Sequence, residues 1–230
     1  MMHVDRSKIP ARRRASLGFS IMEVLVASVV SLLVVLAIMA FFDSQQRAYA
    51  TMTTYSQSQN VTRTAIDLMS REIRMSSFDP TDVALVDSPG PTCPTVKQGL
   101  VIAMPSLIRF QQDLDGDGLL VSPAEDVAYG QSADQLMRWD LGVGTPGIPL
   151  VTGLRPNDGL QFQYFDGENP PNEIVPSGSP PTVAPDPRAC IEKVLIRIRA
   201  DIANPHPSQP SLKSVVETGV AIRNRSLAKF

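Results

Sequence analysis

The chain divides into a long segment without helix breakers and a segment rich in them. From Phe19 to Asp79 there is neither glycine nor proline, whereas Pro80 to Phe230 contain 13 glycines and 19 prolines. Inside a helix each glycine costs about 1 kcal/mol and each proline about 3 kcal/mol relative to alanine. The sequence therefore predicts one long helical segment over 19–78. It should end before Pro80, because a residue that precedes proline is pushed out of the α region.

The helical segment begins with an apolar run. Phe19 to Phe42 contain one charged residue, Glu23, and a helix of that length spans about 36 Å, enough to cross a hydrocarbon layer of about 30 Å. Residues 1–18 hold five basic and one acidic residue, net +4, and the remainder holds 16 basic and 22 acidic residues, net −6. Because basic residues mark the cytoplasmic side of a membrane segment, we expect the C-terminal part outside the inner membrane.

Two ordinary membrane-targeting signals compete with this interpretation. A secretory signal peptide has an apolar stretch of about 7–15 residues followed by its cleavage site, and the run from Phe19 is longer. A plain signal anchor has no need for a carboxylate within the run. An ionised Glu23 inside a bilayer has a high free energy unless a positive group pairs with it. A position near the helix end would, however, let its carboxylate reach the lipid headgroups.

The residues around Glu23 form a recognisable string. Leu17-Gly18-Phe19-Ser20-Ile21-Met22-Glu23-Val24 resembles the class III signal of type IV prepilins, which is cut on the N-terminal side of the apolar helix. The resemblance implies that prepilin peptidase removes a leader over 1–18 and that Gly18 is its last residue. It also implies that Phe19 becomes an N-methylated N-terminus, and that Glu23 pairs with the α-amino group of a neighbouring subunit's Phe19.

Beyond Phe42 the sequence stays compatible with a helix but becomes polar. Residues at steps of four and three form one face: Ala48, Met52, Tyr55, Gln59, Thr62, Ile66, Met69 and Ile73. This spacing is typical of an amphipathic helix, and we expect its apolar end to pack on a globular domain. The flanks would carry Arg63, Arg71, Glu72 and Arg74. The whole segment is similar to the long spine helix of type IV pilins; the alternative is a membrane helix followed by a separate amphipathic helix.

The residues from 79 to 230 read as a β-rich extracytoplasmic domain. Strand-like stretches separated by Gly/Pro turns are 99–104, 107–112, 125–129, 134–139, 160–164, 194–200 and 214–222. We read the proline-rich residues 170–187 as an extended loop. The predicted fold class is α+β: one long N-terminal helix on an antiparallel sheet with extended loops.

Three further stretches narrow the resemblance. They are Leu68–Met75 with Phe78-Asp79-Pro80, Ile108–Gly118, and Val220–Asn224. Together they resemble PilW-type minor pilins and the J-type minor pseudopilins of type II secretion. The resemblance implies a structural subunit whose partners are other pilin or pseudopilin subunits, and it does not separate a pilus from a secretion pseudopilus.

Two cysteines, Cys93 and Cys190, fall in the exported part. In an oxidising compartment we expect a disulfide between them, which would close a loop near 100 residues and contribute about 4.7 kcal/mol in the chain-entropy model. A pair of free buried thiols is the alternative.

One string has the spacing of a metal loop. Asp113, Asp115 and Asp117 alternate, and Gly118 permits a sharp turn, as in loops that hold calcium. The bidentate glutamate of an EF-hand is missing, since its position is Ala124 and Glu125 comes one residue late. We therefore keep two interpretations, a calcium site and an acidic hairpin turn.

The sequence gives little support for a catalytic site or for nucleic-acid binding. The histidines are His3 and His206, without a catalytic set around them, and the net charge of −2 gives no basis for nucleic-acid binding. Besides a filament subunit, two alternatives remain: a membrane-anchored periplasmic binding module and an anchored enzyme.

Overall fold

The computed structural model describes residues 18–80, 84–85, 99–205 and 209–222. The chain divides into two compact units, Met1–Ala48 and Tyr49–Phe230. The boundary between them falls inside helix α1, which runs from Ile21 to Met75. The second unit therefore contains the C-terminal half of α1 together with the β-rich residues.

Helix α1 ends at Met75, just before the Ser76-Ser77 pair and four residues before Asp79-Pro80. Ser76 donates its backbone N–H to the carbonyl of Ile73, and Phe78 donates to that of Met75, which are the short bonds of a terminal turn. Ser77 adopts a φ of 70°, a left-handed conformation that stops the helix. Its hydroxyl accepts the N–H of Gly99 at 3.1 Å, so the helix end is tied to the start of the first strand.

The C-terminal half of α1 buries one stripe. Its buried residues are Thr62, Ala65, Ile66, Met69 and Ile73. Met69 and Ile73 are fully buried, whereas Met52 is 68% exposed. The predicted apolar face thus packs in the core near its end and stays open near Met52.

Eight strands follow the helix. They are β1 (Leu100–Ala103), β2 (Leu107–Gln111), β3 (Asp126–Ser132), β4 (Gln135–Asp140), β5 (Ile148–Thr152), β6 (Leu160–Phe165), β7 (Lys193–Ile202) and β8 (Leu212–Ala221), with a short helix α2 (Pro185–Ala189) before β7. A five-stranded sheet has the order β1-β2-β3-β4-β5 and a three-stranded sheet the order β6-β7-β8. All of these strand pairs are antiparallel.

The predicted α+β fold class is confirmed, with three differences in detail. The strands form two sheets rather than one. Strand β5 was not predicted, and it holds Pro149 at the edge of its sheet, where a missing N–H is tolerated. The proline-rich residues 170–187 are not wholly extended, since Pro185 and Pro187 lie in α2 and proline suits a first helical turn.

Both sheets and the end of α1 share one hydrophobic core. The five-stranded sheet contributes Ile108, Phe110 and Tyr129, and the three-stranded sheet contributes Phe162 and Ile196, all nearly or fully buried. Side chains alternate inward and outward along β7, as they must in a strand with one covered face.

A buried ion pair joins α1 to the five-stranded sheet. Glu72 of α1 accepts hydrogen bonds from Arg138 of β4 at 2.9 Å and from the Tyr129 hydroxyl of β3 at 2.5 Å. The Glu72 and Arg138 side chains are 14% and 13% exposed, and Arg138 also lies 3.5 Å from Asp140. Burial is the main reason why the pKa of Tyr129 is raised, and the Glu72 charge adds to it.

A second ion pair crosses β2 and β3. Arg109 donates two hydrogen bonds to Asp126, at 2.8 and 2.6 Å, and Gln111 donates a third at 2.8 Å. Burial by itself raises the pKa of the Asp126 carboxyl, but these hydrogen bonds outweigh it and lower the pKa. The carboxylate is thus held ionised by its donors.

We expect Glu72→Ala to lower the free energy of unfolding by about 3 kcal/mol, because it leaves the Arg138 guanidinium buried without its main partner. Chemical denaturation of the full-length protein in detergent, followed by fluorescence of the single tryptophan, Trp139, measures this. The control is Asp43→Asn, which breaks an exposed pair with Arg47 and should change stability by less than about 1 kcal/mol. Equal losses in the two variants would contradict the structural role of Glu72.

We expect Asp126→Asn to reduce the acid sensitivity of the fold. A carboxyl whose pKa is lower in the folded than in the unfolded chain stabilises the protein above its unfolded pKa of about 3.9, and this contribution is lost as the pH falls through the folded value. The variant should be less stable at neutral pH and lose less stability on acidification. Denaturation curves across this pH range test it, with the exposed Asp134→Asn as control. Parallel pH profiles for wild type and Asp126→Asn would rule it out.

Candidate functional site: the helix start and the aspartate loop

The first turn of α1 follows directly on the predicted cleavage position. The carbonyl of Ser20 accepts the backbone N–H of Glu23 at 3.0 Å and that of Val24 at 3.2 Å, which closes the first turn. Phe19 precedes this turn and is 77% exposed. The structure therefore places Gly18, Phe19 and Glu23 together at one helix end.

Contacts with the described residues do not require glycine at position 18. A Cβ built on Gly18 meets no atom within 4 Å, and its φ lies outside the left-handed region. Any small side chain would fit there as far as the fold is concerned.

Among the residues that the structure describes, none buries the apolar half of α1. Its 18-residue apolar window is long and apolar enough to cross a membrane, and none of that window is buried. Leu25, Leu33 and Phe41 are each more than half exposed. Such a surface is stable in lipid or against other apolar helices, and it is unstable in water.

Glu23 lies at the start of this apolar surface. It is the acidic residue of the first turn, where the unpaired N–H groups of the helix favour a negative charge. Ala27 and Ser31 follow it at helical spacing on the same face, with Val26 and Val30 beside them. Small residues on a helix face allow another helix to approach closely. Glu23 is thus accessible to a positively charged group of a neighbour.

The aspartate loop, residues 112–125, connects β2 to β3. These strands pair as a hairpin, with Gln111 opposite Asp126. One carboxylate oxygen from each of Asp113, Asp115 and Asp117 lies within 4.8 Å of the others. The three side chains that the sequence spacing predicted to share one site therefore do lie close together.

Hydrogen bonds inside the loop fix these carboxylates. Asp113 is fully buried and accepts the N–H groups of Gly116 at 2.7 Å and Gly118 at 3.1 Å. Asp115 accepts the Ser122 hydroxyl at 2.7 Å, and chiefly this bond lowers the pKa of its carboxyl. Asp115 therefore stays ionised to lower pH than a free aspartate.

Glycine is needed at both turns of the aspartate loop. Gly116 and Gly118 have φ values of 75° and 78°, in the left-handed region that glycine adopts without strain. The sharp turn predicted at Gly118 is therefore present. Ala124 also has a positive φ, 65°, which bends the chain into β3.

Glu125 has a different role from that of a bidentate calcium ligand. It is fully buried, and its two carboxylate oxygens accept the N–H groups of Leu114 at 3.1 Å and Ser122 at 2.8 Å. Both ends of the loop are thereby tied to one side chain. Since these bonds occupy Glu125, a cation at the three aspartates would take its other oxygens from backbone carbonyls and water, as calcium accepts.

The other residues singled out in the sequence are dispersed. Cys190 caps the end of α2, and the described part of the chain contains no free cysteine. Its predicted partner Cys93 lies outside the described residues, so the disulfide stays a prediction. His3 and His206 also lie outside them.

Sequence reasoning missed one buried ion pair. It placed Glu72 on a flank of the apolar face of α1 and named no partner for it, whereas the structure pairs it with Arg138. A signal was present: Leu136, Arg138 and Asp140 occupy the inward positions of β4, and a charged residue at such a position requires a buried partner. Nothing local identified Glu72 as that partner.

No family model matches the chain, and no curated protein matches it. Among solved structures, it is similar to a type IV-like pilin from Thermus thermophilus, with 13% sequence identity and a TM-score of 0.36. The match covers 73% of this chain and 97% of that one.

If the aspartate loop binds calcium, titration of the full-length protein in detergent should release or absorb heat at micromolar to millimolar calcium, the affinity range of calcium loops outside the tight cytosolic buffers. Asp115→Asn should weaken binding at least about tenfold, because it removes one charged ligand. The control is Asp134→Asn, an exposed aspartate outside the loop. No heat at millimolar calcium would leave the acidic hairpin turn as the correct interpretation.

Proposed function

We propose that this protein is a structural subunit of a filament of the type IV pilus or type II secretion class, made as a precursor and cut between Gly18 and Phe19. The observation that supports this most is the division of helix α1. Its N-terminal half is apolar and unburied, and its C-terminal half is part of the core of a folded unit. One helix thus joins a segment that needs a nonpolar environment to a domain that is stable in water.

The position of the proposed cut gives Glu23 a partner. Cleavage after Gly18 creates an ammonium group on Phe19, four residues before Glu23. An unpaired carboxylate or ammonium is unstable in a nonpolar environment, and removing one partner of a buried pair costs about 3–5 kcal/mol. A bundle of such helices would be stabilised when the Phe19 amine of one subunit meets Glu23 of the next. This pairing would also set the register between subunits.

Location and partners follow from the same helix. Before assembly the subunit would cross the inner membrane once, with the basic leader in the cytoplasm and the C-terminal domain in the periplasm. Prepilin peptidase would act on it there. After assembly the apolar half of α1 would contact the corresponding helices of other pilin or pseudopilin subunits in place of lipid. N-methylation of Phe19 would follow the cut.

Within this class we propose a minor subunit that primes, caps or modifies assembly. The support is the resemblance of the segments around Met69 and Asp113 to PilW-type minor pilins and J-type minor pseudopilins. The structure adds that both segments are built into the fold: Met69 is fully buried, and Asp113 is fully buried and hydrogen-bonded. The Cys93–Cys190 disulfide would further stabilise this exported unit.

We expect Glu23→Ala to abolish or strongly reduce incorporation of the subunit into filaments while leaving its insertion in the membrane intact. The loss of one partner of the proposed pair leaves an unpaired ammonium in the filament core. Shearing and fractionation, followed by immunoblotting of the filament and membrane fractions, measure incorporation.

The matched control is Asp43→Ala. Asp43 follows the apolar run and forms an exposed pair with Arg47 in the same helix, so its loss should not change incorporation. Equal incorporation of Glu23→Ala and wild type would instead favour a membrane-anchored binding module, since an anchor has no use for the carboxylate.

A further inference from the structure

Three of the four sheet edges in the described part of the chain are protected. Val183 donates its N–H to Ala103 at the edge of β1. Strand β5 is short and contains Pro149. Ile174 donates to Tyr164 at 2.8 Å along the edge of β6. Covering an edge, shortening it and placing proline in it are the usual means by which proteins prevent a sheet from pairing with another chain.

Strand β8 has none of these three protections, although it carries two exposed charges, Lys213 and Glu217, which also discourage unselective pairing. It is ten residues long and contains no proline. It pairs with β7 without a register shift from Leu212 to Ala221, so no bulge bends it away. Within the ranges that the structure describes, no other segment is hydrogen-bonded along its outer side. Long, regular edges of this kind are templates for another strand.

The backbone bonds of β7 identify which residues of β8 face outward. Arg199 donates its N–H to Gly159 at 2.7 Å and accepts the N–H of Arg155 at 3.0 Å. Its backbone groups therefore point away from β8. Val215, which lies opposite Arg199, consequently directs its own N–H and C=O to the free edge, because a residue in an antiparallel pair bonds to one neighbour. Every second residue on either side of Val215 does the same.

The side chains at these outward positions form a self-complementary pattern. Val215 is 63% exposed, and its neighbours on the same face are Lys213 and Glu217, both exposed. Glu217 also accepts a hydrogen bond from Arg197 of β7 at 2.6 Å, so it would be shared between Arg197 and the second copy. If a second β8 lies antiparallel with Val215 at the centre, Val215 faces the partner's Val215. Lys213 then faces the partner's Glu217, and Glu217 faces the partner's Lys213. Opposite charges and apolar side chains directly across a strand pair stabilise it.

We propose that β8 is a homodimer interface, in which the edge strands of two copies of this chain pair antiparallel about a two-fold axis at Val215. The outward backbone groups of Lys213, Val215 and Glu217 exchange hydrogen bonds with the second copy. The two three-stranded sheets become one continuous sheet. The apolar half of α1 takes no part in this contact.

A two-fold contact of this kind is closed, because each copy uses the same surface and none remains for a third. The pair therefore cannot extend into a filament. The homodimer is therefore a state of the subunit outside the filament. A strand from a different subunit could bind to the β8 edge only after the homodimer dissociates. The proposal does not depend on cleavage at Gly18, so either can fail without the other.

Sedimentation of the full-length protein in detergent tests the interface. Wild type should be a dimer. Val215→Lys should raise the dimer dissociation constant at least about tenfold, because it places two like charges opposite each other at the axis. Ala221→Lys is the control, since it adds the same charge to the same exposed face away from the axis. A monomeric wild type, or dimers that both variants keep equally, would overturn the proposal.

A charge exchange separates this contact from association through the apolar half of α1. Lys213→Glu and Glu217→Lys should each form fewer homodimers, since each places like charges opposite one another. Mixed, the two variants should form a heterodimer, because their substituted side chains then face each other with opposite charges and the native pair is kept at the second position. Native mass spectrometry distinguishes the species. Statistical mixing of homodimers and heterodimers would refute pairing through β8.

Discussion

The apolar half of helix α1 requires a nonpolar environment that the described part of the chain does not provide. None of its apolar window is buried, and burial of apolar surface stabilises by about 25 cal/mol per Å². This surface must therefore be covered by lipid or by other subunits. Within it, Glu23 requires a positive partner for the same reason. The proposed cut, membrane location and filament contacts would each meet one of these two requirements.

In the second unit, the C-terminal part of α1 is fixed against the five-stranded sheet by buried contacts. Met69 and Ile73 are fully buried, and Glu72 between them is fixed by Arg138 and the Tyr129 hydroxyl. Apolar burial supplies most of the stabilisation, and the ion pair adds a polar contact between α1 and β4. A force or displacement on α1 within this unit would be carried by these contacts.

Local chemistry in the sequence was enough to predict much of this fold. The lack of glycine and proline predicted α1, and strand-like stretches separated by Gly/Pro turns predicted seven of the eight strands. Strand β5 was missed because Pro149 is unfavourable in a strand unless the strand lies at an edge, and edge positions depend on the whole sheet. The division into two sheets and the partner of Arg138 depend on contacts between distant residues, which no local pattern encodes.

The candidate sites were predictable to the same extent. The motif around Gly18 and the alternation of Asp113, Asp115 and Asp117 are visible in the sequence. The roles of Glu125 and of the β8 edge depend on contacts in the folded chain and are not visible there.

The most direct measurement for the central claim is the mass of the mature polypeptide from cells with and without prepilin peptidase. With the peptidase, the chain should begin at methylated Phe19; without it, residues 1–18 should remain. The same mature polypeptide in both cells would contradict the claim.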